Sequence, residues 1–185
     1  MEGVTTERLA FRAPELADGD ALYALMNDFG IVKYLTSVPW PYTRPDADTY
    51  IERARTGRAE EKGLYYLILD RVAKEPVGTI DLRFDPDEAA HFGYWLATPV
   101  WGRGYASEAL AALLDFGFGA LGLKRIWGAA MPDNPASIRV MEKCGLAHAG
   151  TMRVKRPNFG DEVDMMQLDM LRSDWQARGG KVVPV

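Results

Sequence analysis

Three small residues alternate at Gly102, Gly104 and Ala106, within the run Val100-Trp101-Gly102-Arg103-Gly104-Tyr105-Ala106. Small side chains let a bulky anion come close to the backbone. If a helix starts here, its first amides lack internal acceptors and carry partial positive charge. Together these features make a phosphate site, and Arg103 adds a cation able to pair with it. A strand-to-helix turn that binds nothing would use the same residues, so the run alone leaves both readings open. Two other phosphate loops are excluded. Gly-x-x-x-x-Gly-Lys-Ser/Thr is absent, and Gly-x-Gly-x-x-Gly fails at Ser107.

The loop needs a strand before it and a helix after it. Thr6 to Arg12 alternates and ends near Pro14, as a first strand would. Asp18-Gly19-Asp20 precedes a helix over Ala21 to Met26, where an Asp can cap free amides. Val38-Pro39-Trp40-Pro41-Tyr42-Thr43 is an aromatic loop, because its prolines remove donors and fix φ. A polar helix runs roughly from Asp46 to Glu60, burying Tyr50, Ile51 and Ala54. Leu64 to Leu69, Val77 to Phe84 and Ala90 to Leu96 read as strands. The turns at Asp70 to Glu75 and Asp85 to Asp87 are short and polar, so these strands should pair antiparallel.

After the loop from Thr98 to Arg103 comes a helix from Tyr105 to about Leu121. A strand follows at Arg125 to Ala130, then a helix from Pro135 to Cys144 that Gly145 ends. Ala147 to Val154 and Val163 to Leu171 close as a hairpin, and Arg178 to Val185 is a loose tail. The order is β-α-α-β-β-β-α-β-α-β-β. The strand–helix–strand unit from Ala90 to Ala130 needs a crossover, so its two strands should be parallel. The expected class is α/β (α+β), with a mixed, mostly antiparallel central sheet and helices on both faces. The antiparallel run before the loop disfavours a nucleotide-dependent oxidoreductase, which would be built from successive βαβ units. No linker or repeat interrupts the chain, so residues 1–185 are expected to form one domain, ordered over about 6–175.

Bulk properties narrow the function. The chain has 185 residues, of which 48% are hydrophobic, enough for a buried core. A net charge of −4 argues against a general nucleic-acid binder. The single cysteine, Cys144, permits no internal disulfide and suits a reducing compartment. His91 and His148 lack neighbours at metal-ligand spacing, so no metal is expected. No apolar run has the length of a signal peptide or a membrane span. The expected location is cytoplasmic, with no membrane or nucleic-acid partner.

Three segments together carry a family resemblance. They are Gly93-Tyr94-Trp95-Leu96, then Trp101-Gly102-Arg103-Gly104-Tyr105-Ala106-Ser107-Glu108-Ala109-Leu110, then Asp133-Asn134-Pro135-Ala136-Ser137-Ile138-Arg139-Val140-Met141-Glu142-Lys143-Cys144-Gly145-Leu146. Across Leu9 to Trp175 the chain resembles the GNAT superfamily of N-acetyltransferases, most closely its RimJ/RimL-like, ribosomal-protein-alanine branch. The resemblance implies a GNAT-like sheet, acetyl-CoA as co-substrate and a primary amine as acceptor, either a protein N-terminus or a small molecule. A homodimer is common in such families. The general GNAT loop reads Arg/Gln-x-x-Gly-x-Gly/Ala; here Trp101 takes the Arg/Gln position. A non-catalytic acyl-CoA sensor on the same fold is the alternative, because fold does not fix function.

Residue by residue, the resemblance implies the following roles. Leu96, Ala97 and Thr98 would bond the pantetheine arm by strand addition. Amides from Gly102, Arg103, Gly104, Tyr105, Ala106 and Ser107 would hold the pyrophosphate. Asn134 matches an asparagine that bonds pantetheine, although it would serve equally as a turn or cap. Met141 stands where many relatives carry a tyrosine acid, and it also faces the cofactor. Ser137 is the candidate acid in its place, with a backbone-satisfied helical serine as the alternative. A backbone amide near Leu96 and Ala97 is the expected oxyanion donor. Candidates for the base that deprotonates the amine are His91, Asp81 and Glu108, or water alone. His91 stands where relatives often show glutamate. Trp40 and Tyr42 match a variable loop bordering the acceptor, and core packing explains them equally well. Cys144 is expected in the core, not as a nucleophile.

Overall fold

The computed structural model describes residues 1, 3–157 and 159–180; residues 181–185 of the expected tail lie outside the described residues. The order is β1 (Leu9–Arg12), α1 (Gly19–Met26), α2 (Phe29–Val32), α3 (Arg44–Ala59), β2 (Gly63–Asp70), β3 (Pro76–Asp85) and β4 (Ala89–Leu96). Then come α4 (Tyr105–Asp115), β5 (Arg125–Ala130), α5 (Pro135–Lys143), β6 (Ala147–Arg156), β7 (Asp161–Leu171) and α6 (Arg172–Ala177). Among the described residues, seven strands form one sheet in the order β1-β2-β3-β4-β5-β7-β6. Every neighbouring pair is antiparallel except β4 with β5. The class is the mixed α/β one expected from the sequence.

Local chemistry explains the boundaries. Thr43 and Asp46 form a reciprocal capping box, so α3 starts at Arg44, two residues before the expected Asp46. Asp18 does not cap α1; its carboxylate takes both ends of the Arg12 guanidinium at 2.6 and 2.7 Å. β1 is shorter than expected because Thr6 turns back, its amide donating to the Leu9 carbonyl at 2.9 Å. The short helices α2 and α6 are not expected from the pattern. α4 widens into a π turn over Phe116–Ala120, which completes the long helix read from the sequence.

The sheet separates two apolar layers. Leu110, Leu113, Phe118, Ile126 and Leu168 pack on the α4 and α5 side. Leu22, Val32, Ile51 and Leu67 pack on the α1 to α3 side. Alternation along β4 sends Phe92 and Tyr94 to the first layer and Trp95 to the second.

The parallel pair is short. β4 and β5 are paired only at Ala89, Ala90 and His91 against Arg125, Ile126 and Trp127. The next residues are Phe92 and Gly128, and there the strands part. A Cβ on residue 128 would lie 2.4 Å from the Phe92 ring. The ring thus occupies space that any larger residue at 128 would need. Gly128→Ala is expected to lower stability by about 1–3 kcal/mol through overpacking and to raise the KM for acetyl-CoA; thermal unfolding and steady-state kinetics check both.

Candidate active site

A cleft of about 950 Å³ opens where the strands part. It runs through the sheet. On the α4 and α5 side its walls include Gly104, Ser107, Tyr94 and Ser137; on the α1 to α3 side they include Asp81 and His91.

The loop before α4 has the geometry its glycines require. Gly102 and Gly104 sit at φ of +71° and +82°, a region costly for residues bearing a Cβ. Gly104 is the residue on which α4 begins, and its carbonyl accepts the first helical bond from the Glu108 amide at 3.1 Å. Among the described residues, no amide from Gly102 to Ser107 is bonded to a backbone carbonyl. A row of unspent donors at the positive end of an 11-residue helix therefore faces the cleft. Trp101, at the departing position, donates its indole N–H to the Leu96 carbonyl at 2.7 Å and so fixes the loop against the end of β4.

Several neighbours serve the loop's frame. Arg8 donates to the Arg103 carbonyl at 2.6 Å and pairs with Glu108. Glu108 also accepts from the Thr6 hydroxyl and the Arg8 amide. Burial pushes the Glu108 carboxyl up, but these bonds outweigh it and hold the group below its ordinary value. Glu108 is thus a structural anchor absent from the cleft wall, which removes it as a base. The Arg103 guanidinium stacks over Tyr105 and is not on the cleft wall, while the Tyr105 hydroxyl donates to Asp70 at 2.7 Å. The Cys144 thiol donates to the Ser107 carbonyl at 3.4 Å and burial pushes it up to about 11, so it is no nucleophile.

The edge of β4 decides which amides face the gap. The Ala97 amide donates to the Val77 carbonyl of β3 at 2.8 Å. Backbone groups alternate in direction along an antiparallel strand, so Trp95 and Gly93 also face β3, whereas Leu96 and Tyr94 face the parted side. Neither has a partner on β5. Ala97, expected to offer its amide to a ligand, has spent it on β3. Thr98 is off the cleft wall, and its hydroxyl is held by Asp28.

On α5, the Asn134 side-chain oxygen caps the helix by accepting from the Ser137 amide at 3.2 Å. The Ser137 hydroxyl shares a 2.9 Å hydrogen bond with the Tyr94 hydroxyl. Burial pushes Tyr94 up to about 12, against the Ser137 bond. Met141, one turn beyond Ser137 on α5, is buried on the cleft wall.

Across the sheet, Asp81 and Arg83 lean over Gly93: a Cβ there would lie 2.8 Å from the Arg83 guanidinium and 3.3 Å from the Asp81 carboxylate. Arg83 Nε lies 2.8 Å from Asp81 Oδ1, yet neither atom has an aligned hydrogen-bond partner. Burial raises the Asp81 carboxyl above its ordinary value, opposed by Arg83, Arg53 and His91. His91 Nδ1 lies 3.0 and 3.2 Å from the Asp85 oxygens, and the Trp127 indole donates to Asp85 Oδ2 at 2.8 Å. Burial, helped by Arg83, holds the imidazole below its ordinary value, while Asp85 and Asp81 pull upward. Tyr42 is buried on the wall; Trp40 is not on it, and its ring packs on Phe29 at 5.2 Å.

The cleft thus gathers His91, Asp81, Leu96, Gly102, Gly104, Tyr105, Ala106, Ser107, Asn134, Ser137, Met141 and Tyr42, and leaves out Trp40, Ala97, Thr98 and Arg103. Sequence reasoning misses Tyr94, Asp85 and Trp127. Tyr94 carries one signal, a hydroxyl on the apolar face of β4. Asp85 reads as part of a polar turn, where nothing distinguishes it.

Residues 8–147 match the family described as the Acetyltransferase (GNAT) domain. The uncharacterized N-acetyltransferase p20 of Bacillus licheniformis is 29% identical over 177 residues, covering 95% of this chain and 99% of the relative. A GNAT-family acetyltransferase structure from Bacillus anthracis superposes with a TM-score of 0.78 at 26% identity, covering 92% of this chain and 98% of that one. The ribosomal L7/L12 α-N-protein acetyltransferase RimL, solved with coenzyme A, gives a TM-score of 0.78 at 21% identity over 91% of this chain and 97% of its own, a likeness of fold.

Proposed function

This chain belongs to the GNAT acetyltransferase family, and on that premise we propose that acetyl-CoA lies in the β4–β5 gap while a primary amine enters from the α1 to α3 side. The chain is an acetyl-CoA-dependent N-acetyltransferase with acetyl-CoA as co-substrate. The observation that carries the placement is the row of unspent amides from Gly102 to Ser107, opening from left-handed glycines onto a gap that crosses the sheet.

The fit is chemical. Phosphates suit the amides at the start of α4, and Arg103, although off the wall, adds positive field. Amide groups of a pantetheine arm suit the open edge of β4 at Tyr94 and Leu96, as an added strand would. The free N–H groups of Asn134 remain after its oxygen has capped α5. Acetyl-CoA supplies an activated acyl group as a thioester.

The chain's own groups do the rest. The Tyr94 or Leu96 amide stands where negative charge would develop on the acyl oxygen. His91 takes the proton of the attacking amine at Nε2. Asp81 faces the incoming ammonium, and Tyr42 lines its path. The Tyr94–Ser137 pair holds a proton for the leaving sulfur, which answers the absence of a tyrosine at Met141. Tyr94→Phe and Ser137→Ala are each expected to lower kcat about tenfold, with a double variant little worse than either, because groups sharing one bond do not act additively. Steady-state rates of thiol release check this.

The acceptor wall is not acidic: Arg53 and Arg83 stand beside Asp46 and Asp81. This favours a monoamine, either a protein N-terminus or a small molecule, over a polyamine. We assign the chain to the RimJ/RimL-like branch on its Ser137 and Trp101 patterns, as one cytoplasmic domain able to form a homodimer. Incubation with acetyl-CoA and a panel of N-terminal peptides, amino acids and polyamines, read by free-thiol release, tests the reading. Turnover on a monoamine is expected; turnover confined to polyamines would overturn it.

A further inference from the structure

We propose that Asp85 and Trp127 are positioning residues that lock His91 into the tautomer with its proton on Nδ1 and Nε2 bare. The inference rests on the reading of His91 as base, and it adds residues that carry no motif.

A carboxylate only accepts and an indole N–H only donates. Asp85 faces His91 Nδ1 at 3.0 and 3.2 Å, so Nδ1 must carry the hydrogen. In a neutral ring the other nitrogen is then the basic one. Trp127 completes the frame. Its indole donates to Asp85 Oδ2 at 2.8 Å, and its ring lies 4.9 Å from the imidazole at 31°. These residues come from β3, β4 and β5, and the pairs Arg83–His91 and His91–Trp127 put them side by side. His91 is the last β4 residue paired with β5, at the root of the parted strands. The base thus sits at the hydrogen-bonded root of the gap, with its orienting carboxylate outside the cleft wall. The charged groups acting on the ring are Arg83, Asp85 and Asp81 of β3; on β5 its neighbour Trp127 is uncharged, and Arg125, two residues along, is paired with Asp169.

The geometry makes an unusual prediction for Asp85→Asn. The indole demands an oxygen at its end of residue 85. The asparagine amide therefore puts its NH2 at the nearer position, 3.0 Å from His91 Nδ1, and leaves the oxygen already engaged by the indole at 3.2 Å. A donor facing a donor at the shorter distance favours moving the ring proton to Nε2. The base is lost although the shape is kept. Trp127→Phe removes the demand and frees the asparagine oxygen to face His91.

Because the chain has two histidines, the imidazole nitrogen spectrum of 15N-labelled full-length protein holds two rings, and His148→Gln assigns them. We expect the Nδ1–H tautomer for His91 in the wild type, the Nε2–H tautomer in D85N, and a return toward Nδ1–H in D85N/W127F. kcat/KM with the best amine should fall about 100-fold in D85N and recover several-fold in the double variant. In Asp85→Ala the acidic limb of the pH profile should move to lower pH, since Asp85 raises the imidazole. A wild-type Nε2–H tautomer, or an unchanged one in D85N, would overturn the proposal. Expected tautomers with no effect on rate would leave the lock standing and sink the reading of His91 as base.

Discussion

Gly104→Val is expected to bind acetyl-CoA at least tenfold more weakly, with loss of the thermal stabilisation that acetyl-CoA gives the wild type. Two effects add. Residue 104 sits at φ +82°, where an ordinary side chain costs about 1–2 kcal/mol and a β-branched one more. Any relief of that strain rotates the first amides of α4 away from their common focus. A tenfold loss corresponds to about 1.4 kcal/mol, so the strain alone is large enough to produce it if the loop responds by moving. Gly122→Ala separates the causes. Gly122 has φ +70°, a Cβ there would meet nothing within 4 Å, and the residue has no place on the cleft wall. It should lose stability by the smaller left-handed strain of an unbranched side chain while binding acetyl-CoA normally. Calorimetric titration of the two variants checks the contrast.

His91→Gln is expected to lower kcat/KM by about 10²-fold or more near neutral pH, within the range for a lost general base. The sign of its pH dependence follows from burial. The imidazole lies below its ordinary value, so the wild-type rate should rise with pH along a limb below the usual histidine range, and stay high once the ring is neutral. In H91Q that limb should vanish, and the deficit should shrink at high pH as the free amine deprotonates itself. The KM for acetyl-CoA should change little, because His91 lies across the sheet from the α4 amides.

The features most legible in the sequence are those with strict local requirements. Only glycine holds a left-handed backbone cheaply, so the Gly102 and Gly104 loop announces both its turn and its helix start. The crossover rule gives the parallel β4–β5 pair, and alternation gives the strands around it. What is not legible depends on which strand a residue faces. Ala97 and Leu96 look alike in sequence, and only the bond from Ala97 to Val77 shows that their amides point to opposite sides. Glu108 looks available as a base until the fold brings Thr6 and Arg8 to it across about a hundred residues. Trp40 looks like an acceptor contact, and Phe29 of the unexpected α2 claims it instead. Asp85 hides in a turn because its partners, His91 and Trp127, lie on two later strands.

The placement of the co-substrate is tested most directly by a crystal structure of the wild-type protein with coenzyme A. The pyrophosphate oxygens should lie within hydrogen-bond distance of the amides between Gly102 and Ser107, with the pantetheine arm along Tyr94 and Leu96. Coenzyme A bound elsewhere, or with its pyrophosphate turned away from the start of α4, would contradict the account.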